Sequence, residues 1–110
     1  MQSADITELI EFSDDEVVRG TLFETAHLWS QVICLNRNQT FGPASDPLAD
    51  AQLVVFAGEA AFQVDRKRKR LGQWSSIVVP AGSELTVTNA SADPLVILMV
   101  TAPPPAADGD

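Results

Sequence analysis

The hydrophobic and polar positions of this chain read almost entirely as short β-rich segments between turn signals, and no stretch supports a long amphipathic helix. Segments 17–23 and 26–35 are rich in β-branched and aromatic residues, with Trp29, Val32 and Ile33 at the centre of the second, and both are predicted strands. Five further strands are predicted at 52–56, 60–64, 76–79, 84–88 and 95–101. They are separated by Gly58-Glu59, a basic run, Pro80-Ala81-Gly82 and the polar stretch Asn89 to Pro94. Asn36-Arg37-Asn38 reads as a turn, because asparagine tolerates positive φ better than most residues. Residues 41–50 carry two prolines and a glycine, which predicts a loop with extended pieces. Residues 5–12 alternate loosely and fit either a short helical turn or an edge strand.

Short strands at regular spacing predict an all-β sandwich or barrel rather than a layered α/β fold. The 110 residues suit one domain at 17–103, preceded by a segment at 1–16. The proline-rich 104–110 is expected to stay outside any ladder and to be disordered. Neither strongly apolar run, 53–56 or 95–100, approaches the ~20 residues of a membrane-spanning helix. The N-terminus lacks the basic start and apolar run of a secretory signal. A single cysteine, Cys34, precludes an intrachain disulfide and fits a reducing cytoplasm.

Charge narrows the functional classes. A net charge of −8 argues against a nucleic-acid or anionic-membrane binder. From Asp5 to Glu24 there are seven acids against Arg19 alone, whereas five of the seven basic residues form Arg66-Lys67-Arg68-Lys69-Arg70. That pentad has no interleaved aromatics. It is expected at a solvated hairpin tip, where its repulsion opposes aggregation, or against the acidic N-terminal segment of a second subunit.

One turn carries a more specific pattern. Pro80-Ala81-Gly82-Ser83-Glu84-Leu85, followed by Asn89, resembles the second signature of the cupin superfamily, Gly-x5-Pro-x-Gly-x2-His-x3-Asn, with Trp74 in the opening glycine slot and Leu85 in the histidine slot. Gly58 anchors the first signature, Gly-x5-His-x-His-x4-Glu-x6-Gly, without gaps. Asn38 then takes the opening glycine slot, Ala44 and Asp46 the histidine slots, and Ala51 the glutamate slot. The resemblance covers about residues 17–103 and implies a double-stranded β-helix, the jelly-roll barrel of RmlC-like cupins. In metal-bearing members those four slots coordinate the ion, and an Fe, Mn, Ni or Zn centre needs three or four N, O or S donors. Ala44, Asp46, Ala51 and Leu85 supply one, so no metal or other cofactor is expected.

Placing the strands by period two aims Ala44, Asp46, Ala51, Leu53, Val55, Leu85 and Val87 at the face that holds ligands in metal-bearing relatives. Asp46 is a candidate base or ligand anchor if it points inward, or a loop cap before Pro47. His27, the one histidine, is either a structural residue or a pocket acid or base. Gln31 and Gln52 fit pocket hydrogen bonding or the sheet surface. Trp29 and Trp74 fit core or dimer contacts better than sugar platforms, and Cys34 reads as a small apolar residue.

Three functions remain open. The favoured one is a non-catalytic or sensory barrel that binds a small apolar molecule without metal. The second is a metal-free enzyme like the sugar epimerases and isomerases of the superfamily, with His27 and Asp46 as its catalytic groups. The third is a dimeric structural or regulatory module. Single-domain cupins commonly pair through N-terminal strands, so a homodimer built on residues 17–35 is expected.

Overall fold

The computed structural model describes residues 1–105. Nine strands follow a single 3-10 turn at Ile6–Leu9: β1 (Val18–Glu24), β2 (Trp29–Leu35), β3 (Thr40–Ala44), β4 (Asp50–Ala57), β5 (Ala60–Val64), β6 (Lys67–Leu71), β7 (Ser76–Val79), β8 (Leu85–Thr88) and β9 (Leu95–Ala102). They form two antiparallel sheets, β1-β2-β9-β4-β7 and β3-β8-β5-β6. Among the described residues no helix is long and apolar enough to cross a membrane.

The inward residues of the two sheets interdigitate as sandwich packing requires. Ile33, Leu35, Leu53, Val55, Leu95 and Ile97 from the larger sheet meet Phe41, Ala60, Phe62, Leu85 and Val87 from the smaller one. Burial of such side chains stabilises the fold by about 1.5–3 kcal/mol each. A second apolar cluster lies outside the larger sheet, where Ile6, Leu9 and Phe12 cover Val32, Cys34 and Val96. The segment before the barrel is thus packed on it. Asp5 starts the 3-10 turn by accepting the Thr7 N–H at 2.9 Å.

The turn geometry follows the two signature patterns. Asn38, Gly58, Trp74 and Gly82, the four positions aligned with signature glycines, have φ of 69°, 85°, 69° and 87°. Left-handed backbone is what glycine allows most cheaply, so the register drawn from sequence is reproduced by the chain. At Gly58 a Cβ would also collide with the Pro94 carbonyl. Asn89, wholly buried, closes the barrel: its Nδ2 donates to the carbonyls of Leu35 (3.0 Å) and Asp93 (2.8 Å), and its Oδ1 accepts the Ser91 N–H at 3.1 Å.

Residues 41–50 are loop with extended pieces: Thr40–Ala44 forms β3 across Gly42-Pro43, where proline is tolerated because β3 is an edge strand, and 45–49 are irregular. One expectation about elements is corrected. The basic run is not a hairpin tip. Arg66 shares the turn with Asp65, whereas Lys67, Arg68, Lys69 and Arg70 form most of β6, the opposite edge of the same sheet. Repulsion along an edge still discourages strand addition. Of the expected tail, Pro104 and Pro105 are in no regular element, and residues 106–110 lie outside the described residues.

Candidate functional site

Cross-strand register stacks the inner face of the larger sheet in rows. Trp29, Thr101, Ala51 and Val79 make one row; Gln31, Met99, Leu53 and Ile77 the next; Ile33, Ile97 and Val55 a third. The first row and Met99 face a cavity of about 530 Å³, a size suited to a small-molecule ligand. The smaller sheet contributes Phe41, Ala44 and Leu85, and the loop after β3 contributes Ser45 and Asp46.

Ala44, Asp46, Ala51 and Leu85 all line this space, so the four slots that the signatures reserve for metal ligands converge as the sequence implies. Leu53, Val55 and Val87 do not line it. Leu53 and Val55 lie one and two rows deeper, and Val87 pairs with Phe41 and Phe62 in the packed core. Period two gives the face a residue points to, but not its depth along the barrel.

The slots do not make a metal centre. Two methyl groups and an isobutyl group offer no lone pair, and no cluster of three or more His, Cys, Asp or Glu occurs among the described residues. The one donor is already engaged. Asp46 Oδ1 accepts the N–H groups of Leu48 (2.8 Å) and Ala49 (3.0 Å), forming the loop cap before β4. Its backbone carbonyl accepts the Gly82 N–H at 2.8 Å, while Asp50 Oδ1 accepts that of Ala81. Asp46 therefore does two things: it lines the cavity, and it ties the first signature to the Pro80-Ala81-Gly82 turn.

His27 is not brought to the cavity. Residues 26–28 belong to the β1–β2 turn rather than to a strand. There Thr25 Oγ1 accepts the N–H groups of His27 and Leu28, both at 3.1 Å, and His27 is solvent-exposed. The structure does not unite His27 with Asp46. Gln52 points out from the larger sheet, in the cross-strand row of Val78 and Val100. Trp74 is 72% exposed with its ring 6.1 Å from Phe56. Cys34 is buried outside the larger sheet, and desolvation there pushes its thiol pKa up, which keeps it protonated and inert.

Sequence reasoning misses Arg19. It projects from β1 to the cavity, where its guanidinium lies 4.9 Å from the Phe41 ring centroid and 6.0 Å from that of Trp29. Arg19 Nε donates to Gln31 Oε1 at 2.9 Å, and Trp29 Nε1 donates to Thr21 Oγ1, which fixes the ring beneath it. Gln31 itself is 1% exposed. The available signal is parity: Val17, just before β1, and Arg19 are two residues apart, and both line the cavity.

No family model matches the chain, and no curated protein matches it. Solved structures do. The TT1209 protein of Thermus thermophilus superposes with a TM-score of 0.90 at 24% identity, over 96% of this chain and 100% of that one. An uncharacterised double-stranded β-helix protein of Klebsiella pneumoniae gives 0.87 at 19% identity, over 94% and 90%. An RmlC-like cupin protein of Desulfovibrio desulfuricans gives 0.84 at 21%, over 94% and 98%. Likeness at these identities speaks to fold and not to activity. These neighbours show the fold of this chain, the double-stranded β-helix of cupin proteins; the positions aligned with the ligand slots of the two signatures hold Ala44, Asp46, Ala51 and Leu85.

Proposed function

We propose that this chain is a metal-independent small cupin that binds a small, largely apolar molecule in its barrel, as a non-catalytic carrier or sensor. The observation that carries this reading is the 530 Å³ cavity at the point where the four former ligand slots converge. A purely structural module would have filled that space with side chains. Its walls include Ala44, Ala51, Val79, Leu85 and Met99, which offer dispersion and desolvation, and Thr40, Ser45, Asp46, Ser83 and Thr101 make the rest of its lining polar. An epimerase-like reading that pairs His27 with Asp46 gains no support from an exposed His27 and a capping Asp46.

Self-association belongs to the same proposal. The outer face of the larger sheet leaves Val78 63% exposed, in one cross-strand row with Gln52 and Val100, which suits a second copy. Residues 17–35, expected to reach a partner, keep β1 at the edge of the larger sheet, where it can add to a partner's sheet, and this outer face is proposed as a further contact. A cytoplasmic site of action fits the lone reduced Cys34.

The test is a cavity-filling variant. Ala51→Phe, at the cavity wall, is expected to abolish binding of small apolar probes followed by ligand-observed NMR, with the circular dichroism spectrum unchanged. Probe binding that survives the substitution would place the ligand elsewhere and defeat the reading.

A further inference from the structure

We infer that the barrel's ligand is a small monocarboxylate, its apolar body inside the cavity and its carboxylate on Arg19 at the mouth. This rests on the binding-barrel reading above and names its ligand class.

Two observations converge on it. Arg19 is the one basic residue lining the cavity among the described residues, and no carboxylate there pairs with it. Its orientation is built in: the guanidinium is stacked on Phe41, near Trp29, and Nε is held by Gln31 Oε1, which leaves both Nη groups without a protein acceptor among the described residues. Two parallel N–H groups in a fixed plane match a carboxylate in the bidentate mode.

The buried Gln31 amide adds a second, independent sign. Because arginine is a donor only, the oxygen of Gln31 must face Arg19, which fixes the identity of the other atom as Nε2. That Nε2 is buried with no hydrogen-bond partner. Gln31 shares the inward side of β2 with Trp29 and pairs across to Met99, both of them cavity residues, so its side chain lies one row beneath the cavity floor, with Nε2 enclosed. Buried polar groups are normally satisfied, and a shift of the Gln31 amide toward a ligand oxygen held by Arg19 would satisfy this one. Asp46, the one carboxylate in the lining, makes no ion pair with the guanidinium, and its Oδ1 caps Leu48 and Ala49.

The experiment compares octanoate and phenylacetate with octanamide and phenylacetamide by isothermal titration calorimetry at pH 7.5, using wild type, Arg19→Gln and Ala51→Phe. On the inference, wild type prefers each acid to its amide by at least about tenfold, because a charge-assisted pair is worth about 1.5–3 kcal/mol and each 1.4 kcal/mol is tenfold. Arg19→Gln should erase that preference, with acid affinity falling at least about tenfold to the level of the amide, and Ala51→Phe should abolish both. Equal affinity for acid and amide in wild type, with Ala51→Phe still abolishing both, would overturn the carboxylate inference and leave the binding barrel intact. Binding of neither acid at millimolar concentration would overturn it too. Competition by inorganic phosphate as strong as by the acids would show a general anion site and also overturn it.

Discussion

Replacing Asn89 by alanine tests whether the scaffold residue of the second signature holds the barrel closed. Its side chain is wholly buried and serves three backbone groups: the Leu35 and Asp93 carbonyls and the Ser91 N–H. Asn89→Ala strands them together. The Leu35 carbonyl is enclosed at the end of β2, where an unmet acceptor costs about 1–3 kcal/mol. The other two are partly open to water, which can replace the amide, so about 0.5–1 kcal/mol each is reasonable. The sum is about 3 kcal/mol, a large share of the ~5–15 kcal/mol that stabilises a domain of this size. Equilibrium urea unfolding followed by tryptophan fluorescence reads the change. With a slope of about 1–2 kcal/mol per molar for a small domain, the midpoint should fall by roughly 2 M with the slope unchanged. A fall of less than about 0.3 M would mean that water or a loop shift replaces these bonds freely, and the reasoning would fail.

Further outcomes follow from the same structure. Gly82→Ala meets open space, so its loss reflects left-handed backbone alone, about 1 kcal/mol, whereas Gly58→Ala adds a collision with the Pro94 carbonyl and should lose more in the same urea assay. Asp65 accepts the Glu84 N–H at 2.9 Å, and that bond, with Ser83, holds its pKa below 3.8. A carboxylate with a lowered folded pKa contributes stability that is present above pH 3.8 and is lost as pH falls through the folded value. The acid-side slope of stability should therefore flatten in Asp65→Asn, measured by urea midpoints from about pH 5 to about pH 2.5. Cys34 should react with Ellman's reagent only at the rate of unfolding, since burial keeps its thiol protonated; rapid reaction in native buffer would contradict that placement. Val78→Lys should shift light-scattering mass from dimer toward monomer, and an unchanged mass would move the self-contact away from that face.

Much of this is legible in the residues, and the parts that are not have physical reasons. Spacing alone assigns Trp74 and Asn38 to glycine slots, and both adopt the left-handed backbone such a slot requires. The convergence of Ala44, Asp46, Ala51 and Leu85 follows from the same alignment. β3 resembles loop because Gly42 and Pro43 break ladders in general, and only tertiary position tells an edge strand from an interior one. For the same reason the basic pentad resembles a turn: a strand exposed on both faces shows no apolar alternation. For Leu53, Val55 and Val87 the pattern gives the right face at the wrong depth, since row position depends on pairing register. His27 has β-prone neighbours that suggest a strand, but Thr25 draws the backbone into a turn there. Arg19 is silent in the sequence because its meaning comes from Phe41 and Gln31, residues 22 and 12 positions away, which no local pattern joins to it.

Elemental analysis of protein purified without chelator is the most direct measurement on the central claim, that this barrel binds its ligand without an ion. Alanine, aspartate, alanine and leucine in the coordinating positions predict transition metal far below one equivalent per chain, falling further on dialysis. Close to one equivalent of iron, manganese, nickel or zinc that withstands dialysis would contradict the account.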